Sequence, residues 1–259
     1  MADLICSLIL CAFAVLVAAT CGVLALLPKR AGNKRLDGHG GILLGRGIME
    51  VAYKFFEPLV NLLYRAHVTP NMVTAFSLAP ALVSAALIAQ GHFGVGAILA
   101  TGSGFCDMAD GMLARRYNSM SDVGELFDAA VDRYVEYLLL AGLMVYFRAS
   151  LGALVLCMGA VLGSFMVSYT TAKAEALGVV PPKGAMRRAE RSVYVLVGCG
   201  LAPVWALVVP GTHYLASISV GRELPVEITL LVVAVVANVS AVRRMFRIAE
   251  LIRAKKLAT

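Results

Sequence analysis

The sequence predicts an all-α, polytopic integral membrane protein, a bundle of transmembrane helices. Three observations lead there. Sixty per cent of the 259 residues are apolar and only 15% are charged, whereas soluble domains run at roughly 45–50% and about 25%. The mean hydropathy is +0.82. Seven apolar stretches are long enough to cross a bilayer, which takes about 20 residues: 4–27, 72–90, 94–115, 124–147, 151–172, 191–209 and 228–247. A soluble fold of this length could not bury so much apolar surface, and the same composition excludes disordered, fibrous and disulfide-stapled classes.

The basic residues orient these spans. Lys and Arg outnumber Asp and Glu by 23 to 16, a net charge of +7. With the N-terminus outside, segments 28–71, 115–124, 173–190 and 243–259 share one side, and of the Lys and Arg only Arg148 and Arg222 lie in loops on the other. The positive-inside rule makes the first side the cytoplasm. The excess also suits anionic lipid headgroups. No basic stretch is interleaved with base-stacking aromatics, so no nucleic-acid partner is expected.

Taken in order, residues 1–27 predict a transmembrane anchor. The stretch begins at Asp3, has no basic n-region and runs too long for a typical secretory signal, so it is expected to remain uncleaved. Residues 28–47 are polar and Gly-rich but follow no strand, and are expected to be a linker rather than a phosphate cradle. Residues 48–66, IMEVAYKFFEPLVNLLYRA, mix apolar and charged positions at helical spacing, with Lys54 and Arg65 among aromatics. They predict a helix lying in the membrane interface, bent at Pro58. Residues 67–250 then form the transmembrane domain, and 251–259 a basic cytoplasmic tail. The cysteines at 6, 11, 21, 106, 157 and 199 lie in apolar segments without a CxxC pair, so neither disulfide nor zinc is expected. His39, His67, His92 and His213 make no ligand pair. The Gly102–Gly104 GSG lies within a predicted helix and suits close packing. Trp205 suits the membrane interface.

The chemistry is concentrated between Asp107 and Asp132, DMADGMLARRYNSMSDVGELFDAAVD, which places four aspartates on two consecutive membrane helices. An unpaired carboxylate at mid-membrane costs roughly 2.5–3.5 kcal/mol on insertion scales, so these groups must meet a cation or water. Asp107, Asp110, Gly111 and Ala114 fall within an arc of about 100° on the first helix. Gly124, Asp128 and Asp132 make an i, i+4, i+8 stripe on the second. The connection is short, so the helices are expected to be antiparallel neighbours, with Asp107 and Asp132 both about 12–14 Å from the turn. Four convergent oxygen donors suit Mg²⁺ or Mn²⁺. Two such ions would relieve the repulsion and could clamp a phosphate and its leaving oxygen. A proton or ion pathway is the alternative use of membrane carboxylates, although such pathways more often spread their charges over several broken helices.

The segment resembles the signature of the CDP-alcohol phosphotransferase family, D-x2-D-G-x2-A-R-x8-G-x3-D-x3-D, without departure: Asp107, Asp110, Gly111, Ala114, Arg115, Gly124, Asp128 and Asp132. A wider likeness over about residues 65–250 includes the TPN at Thr69–Asn71 and the KAEALG and RRAER stretches. The resemblance implies a six-helix core, to which the first span and the interfacial helix would be additions. It implies an enzyme that transfers a phosphatidyl group from CDP-diacylglycerol to an alcohol and releases CMP, using two Mg²⁺ or Mn²⁺ ions. Asp107, Asp110 and Asp128 would bind metal. Asp132 would complete the second metal site and act as general base. Gly111, Ala114 and Arg115 would contact the cytidine diphosphate. It also implies a homodimer in the cytoplasmic membrane with its site open to the cytoplasm.

For the acceptor, Lys173, Arg187, Arg188 and Arg191 cluster where two predicted spans meet on the cytoplasmic side, and such cations suit a phosphorylated alcohol. Ordinary positive-inside loop charge is the competing explanation, above all for Arg187 and Arg188. KAEALG, the ER pair and Asp132–Arg133 resemble the inositol-phosphate-type members. The expected acceptor is therefore inositol phosphate or inositol, with glycerol 3-phosphate as the alternative within the family. A non-enzymatic carrier or scaffold is the alternative outside it.

Overall fold

The computed structural model describes residues 1–12, 46–182, 184–209, 213–215, 218–221 and 223–257. The helices are α1 (Ala2–Ala12), α2 (Arg46–Arg65), α3 (Pro70–Phe76), α4 (Leu78–Ala89), α5 (Phe93–Tyr117), α6 (Asp122–Tyr146), α7 (Leu151–Ala176), α8 (Arg188–Val208) and α9 (Leu224–Leu257). The rest of the first expected span and the linker at 28–45 lie outside the described residues. Between α8 and α9, strands β1 (His213–Leu215) and β2 (Ile218–Val220) pair antiparallel, a small exception to the all-α expectation in a stretch with several aromatic and β-branched residues. The protein is a multi-pass membrane helical bundle.

Local chemistry sets the helix ends that frame the cleft described below. Thr69 caps α3 by accepting from the Met72 N–H, with Pro70 in the first turn, where its missing N–H costs nothing. Pro80 cannot donate to the Phe76 carbonyl, and α3 passes into α4 through a break at Ser77. Together they make one apolar span, Pro70–Ala89. Asn118 ends α5 in the left-handed region at φ 50°, where its N–H reaches back to Ala114 and Arg115. Ser121 then caps α6 by accepting from the Gly124 N–H at 3.1 Å, with Asp122 and Glu125 in the first turn, where the helix dipole favours acids.

Among the described residues, four helices or helix pairs are long and apolar enough to cross a membrane: α3 with α4, α7, α8 and α9. The charged helices α5 and α6 are held among them. Contrary to the expectation from the short connection, α5 and α6 do not pack along their lengths. α4 lies against both, and α5 meets α8. Like charges on the facing stripes of α5 and α6 make close side-by-side packing unfavourable, and other elements fill the gap.

The half of the bundle remote from the 118–121 turn is apolar and tightly packed. Ile88, Phe93, Leu143, Cys157, Cys199 and Leu230 belong to one buried cluster there. α1 joins that end: Asp3 accepts from the Val95 N–H at 3.0 Å, and Leu10 packs on the cluster. α2 instead lies on α5, with Val60 buried beside Ala109 and Leu113, while Phe55, Leu59 and Leu62 on its other side are exposed.

Close approach of helices depends on absent side chains. A β-carbon on Gly142 of α6 would sit 2.6 Å from the Ala85 carbonyl oxygen and 3.0 Å from its Cα on α4, a backbone contact that cannot swing away. Gly142→Ala should therefore destabilise the bundle by about 1–3 kcal/mol, read as a lower thermal midpoint in detergent. Gly152→Ala, where a β-carbon meets nothing within 4 Å, should produce no such loss.

Candidate active site

The C-terminal half of α5 and the N-terminal half of α6, on either side of the 118–121 turn, carry the aspartates toward one another. Ligand oxygens from Asp107, Asp110 and Asp128 lie within 4.8 Å of one another. Asp110 is buried at 5% exposure and accepts a hydrogen bond from the Thr74 hydroxyl of α3. One carboxylate oxygen of Asp128 is buried with no hydrogen-bond partner. A buried anionic oxygen left unpartnered is costly. Three hard oxygen donors at this spacing therefore fit a divalent cation of the Mg²⁺ or Mn²⁺ type.

Asp132 does not join this trio. It makes an ion pair with Arg188, from the first turn of α8, whose other guanidinium nitrogen donates to Asp107 at 2.8 Å. Arg188 thus bridges the two helices. Of the four cations expected around the acceptor, it alone among the described residues is seen ion-paired to signature aspartates. Arg187 stands at the N-cap of α8, where its backbone N–H donates to Glu190 at 3.0 Å. Lys173 lies exposed in the last turn of α7. Arg191 faces inward, 1% exposed, with Nε and Nη2 on the two carboxylate oxygens of Glu136 at 2.8 and 3.1 Å and Nη1 on the Met186 carbonyl. Its polar edges are occupied by the protein itself.

Arg115 is exposed and Gly111 half-buried one turn before it on α5. The Arg115 side chain folds back so that a β-carbon on Gly111 would meet its Nη1 at 3.7 Å. Ala114 lies beside them on α5, half-buried. Gly124 starts α6 next to Asn71 of α3, whose side-chain oxygen lies 3.8 Å from where a β-carbon would stand.

Three participants escaped the sequence reading. Glu136 continues the stripe of Gly124, Asp128 and Asp132 by one more turn, a signal available from spacing alone. Thr74 lies one turn beyond Pro70, and only the packing of α3 on α5 shows that it faces Asp110. Arg244 of α9 is 9% exposed and donates to the Thr171 hydroxyl and the Val167 carbonyl, while its Nε has no partner. The 184–186 segment covers it, tied down by Ser240 donating to the Ala185 carbonyl at 2.8 Å. In sequence Arg244 was indistinguishable from its neighbours Arg243 and Arg247.

A helical membrane bundle that brings acids to one cleft beside a basic helix end defines an intramembrane enzyme of phosphate chemistry rather than a dispersed ion pathway. The chain belongs to the CDP-alcohol phosphatidyltransferase family, whose model matches residues 67–249. It is 32% identical over 169 residues to the phosphatidylinositol phosphate synthase of Mycobacteroides abscessus, covering 61% of this chain and 76% of the relative. It is 34% identical over 161 residues to that of Cutibacterium acnes, covering 59% and 77%. The archaetidylinositol phosphate synthase of Methanothermobacter thermautotrophicus is 30% identical over 148 residues, covering 57% and 73%. The fold resembles the crystal structure of the Mycobacterium tuberculosis phosphatidylinositol phosphate synthase with CDP-DAG bound, with a TM-score of 0.63 and 24% identity over 74% of this chain and 92% of that one.

The Thr74 hydrogen bond orients Asp110. Partners of metal-binding carboxylates typically contribute 10–100-fold to metal affinity or activity. Thr74→Val should weaken Mn²⁺ binding, followed by electron paramagnetic resonance of the free ion, by about tenfold or more. The fold, followed by circular dichroism, should be unchanged.

Proposed function

We propose that this protein transfers the phosphatidyl group of CDP-diacylglycerol to an inositol phosphate and releases CMP. The observation that carries the reading is the bridging position of Arg188, a cation held between Asp107 and Asp132 in the same cleft as the trio of acids. Relatives named for phosphatidylinositol phosphate and archaetidylinositol phosphate synthesis support the choice of acceptor.

In this reading Asp107, Asp110 and Asp128 hold divalent metal, and Asp132 completes a second ion's ligands. Bound there, Mg²⁺ or Mn²⁺ would neutralise the pyrophosphate and the departing charge. Gly111 and Ala114 leave room on α5 for the nucleotide, and Arg115 meets its diphosphate. The acceptor phosphate recruits Arg188 away from Asp132 by charge-assisted hydrogen bonds. Arg187, Lys173 and the unpartnered Nε of Arg244 add positive charge around it, and Arg191, clamped by Glu136, holds the base of α8 in place. Freed of its cation, Asp132 accepts the proton of the acceptor hydroxyl as that oxygen attacks the lipid-side phosphorus. The bond between that phosphorus and the CMP oxygen breaks, and CMP leaves with the electron pair. The diacyl tails remain in lipid while the headgroups meet at the cytoplasmic end. The enzyme is read as a homodimer in the cytoplasmic membrane, as the family resemblance implies.

Purified protein with CDP-diacylglycerol, Mg²⁺ and a panel of alcohols should release CMP fastest with inositol 1-phosphate. Preference for glycerol 3-phosphate or free inositol would reassign the acceptor, and no turnover with any alcohol would favour a carrier. Asp132→Asn should abolish CMP release while CDP still binds. Turnover within tenfold of the parent would remove its role as base. Arg188→Gln should raise the acceptor KM by roughly tenfold to a hundredfold, as expected for the loss of a charge-assisted phosphate contact, with a small change in the KM for CDP-diacylglycerol. In sealed cells, an impermeant thiol reagent should fail to label single cysteines introduced at 178–182. Labelling there would place the site on the wrong face for cytosolic substrates.

A further inference from the structure

We propose that Tyr53, on α2 and outside the family-matched segment, positions Arg115 for the nucleotide diphosphate. The inference rests on the reading above, in which Arg115 meets the cytidine diphosphate.

Arg115 is exposed at the end of α5, and a long cation in such a place ordinarily samples many rotamers. Two contacts restrain it. Its Nη2 donates to the Tyr53 hydroxyl at 3.1 Å, and its guanidinium lies 5.4 Å from the centre of the Tyr53 ring. Together they hold the side chain folded over Gly111, on the face of α5 that also carries Asp107 and Asp110. Without Tyr53 nothing else among the described contacts draws the guanidinium to that face, and water competes for it.

The position of Tyr53 is itself well determined. Phe56, one turn on, packs against Phe105 of α5 with ring centres 4.7 Å apart. Val60 is 2% exposed against Ala109 and Leu113. At the far end of α2 the Tyr64 ring holds Arg116 at 5.2 Å, and its backbone carbonyl accepts from the Tyr117 hydroxyl. α2 is thus a fixed brace along α5, and its contribution to the reaction is to pre-orient one phosphate-binding cation. Pre-orientation lowers the ordering cost of binding, so its loss should appear in nucleotide affinity rather than in the chemical step.

The test uses the full-length protein in lipid nanodiscs with Mn²⁺. It measures the Kd of CDP by calorimetry, the KM values of CDP-diacylglycerol and inositol 1-phosphate, and the thermal midpoint. Tyr53→Phe, which keeps the ring and loses the hydroxyl, should weaken CDP roughly threefold, and Tyr53→Leu, which loses both contacts, roughly tenfold. The KM for CDP-diacylglycerol should rise in parallel, with acceptor KM and thermal midpoint unchanged. Leu62→Ala, on the exposed side of α2 away from α5, should leave CDP affinity unchanged. Arg115→Gln separates the two levels of the claim. If it weakens CDP while both Tyr53 variants stay within twofold of the parent, the Tyr53 inference is overturned and the nucleotide role of Arg115 stands. If Arg115→Gln leaves CDP affinity unchanged, that role is overturned and the inference with it. A Tyr53 variant that lowers the thermal midpoint and raises both KM values alike would show a merely structural brace and also overturn the inference.

Discussion

Four carboxylates gathered close together on two helices of a membrane bundle repel one another, and the arrangement of α5, α6 and α8 answers that constraint. Each unpaired acid would cost roughly 2.5–3.5 kcal/mol by insertion scales, a total on the order of 10 kcal/mol, comparable with the whole stability of a typical domain. Arg188 bridges Asp107 and Asp132, and Thr74 donates to Asp110. The remaining unpartnered oxygen on Asp128 marks where a cation is still called for. The N-terminus of α8 is carried to this point with its positive dipole end and its arginines, and the helix is held there by the buried pair of Arg191 and Glu136.

That pair illustrates how one helix serves two purposes. A buried ion pair is weak as a source of stability, because desolvation offsets much of the attraction. It is strong as a constraint on register, because misaligning it would strand two charges. Asp132 and Glu136 are one turn apart on α6, and Arg188 and Arg191 about one turn apart on α8. Two rungs of opposite charge therefore set α8 against α6 at a defined height, which puts Arg188 opposite the acids.

The apolar half of the bundle supplies the rigidity that such a site needs. Helices in lipid gain little from further burial of apolar surface against one another, and depend on close van der Waals fit. Gly142 against Ala85 is such a contact, and Gly163 of α7 lies as tightly against Ala237 and Asn238 of α9. Asn238 reinforces that seam by donating to the Gly159 carbonyl at 2.8 Å.

The sequence alone determined the membrane class, the helix bounds to within a few residues at most described ends, and the placing of Asp107 and Asp110 on one helix and Asp128 and Asp132 on the next. Each of these depends on local periodicity or composition: apolar runs match bilayer thickness, and i, i+4 spacing puts Asp128 and Asp132 on one stripe whatever their surroundings. The tertiary structure decided which cation meets which acid. Lys173, Arg187, Arg188 and Arg191 are equivalent in sequence as basic residues near the ends of apolar helices. In the fold, Arg188 faces Asp107 and Asp132, while Arg191, three residues on, turns into the core onto Glu136. Arg244, Thr74 and Tyr53 join the neighbourhood from helices distant in sequence. Charge pairing across helices depends on height and rotation relative to a neighbour, and one sequence read along its own length carries no measure of either.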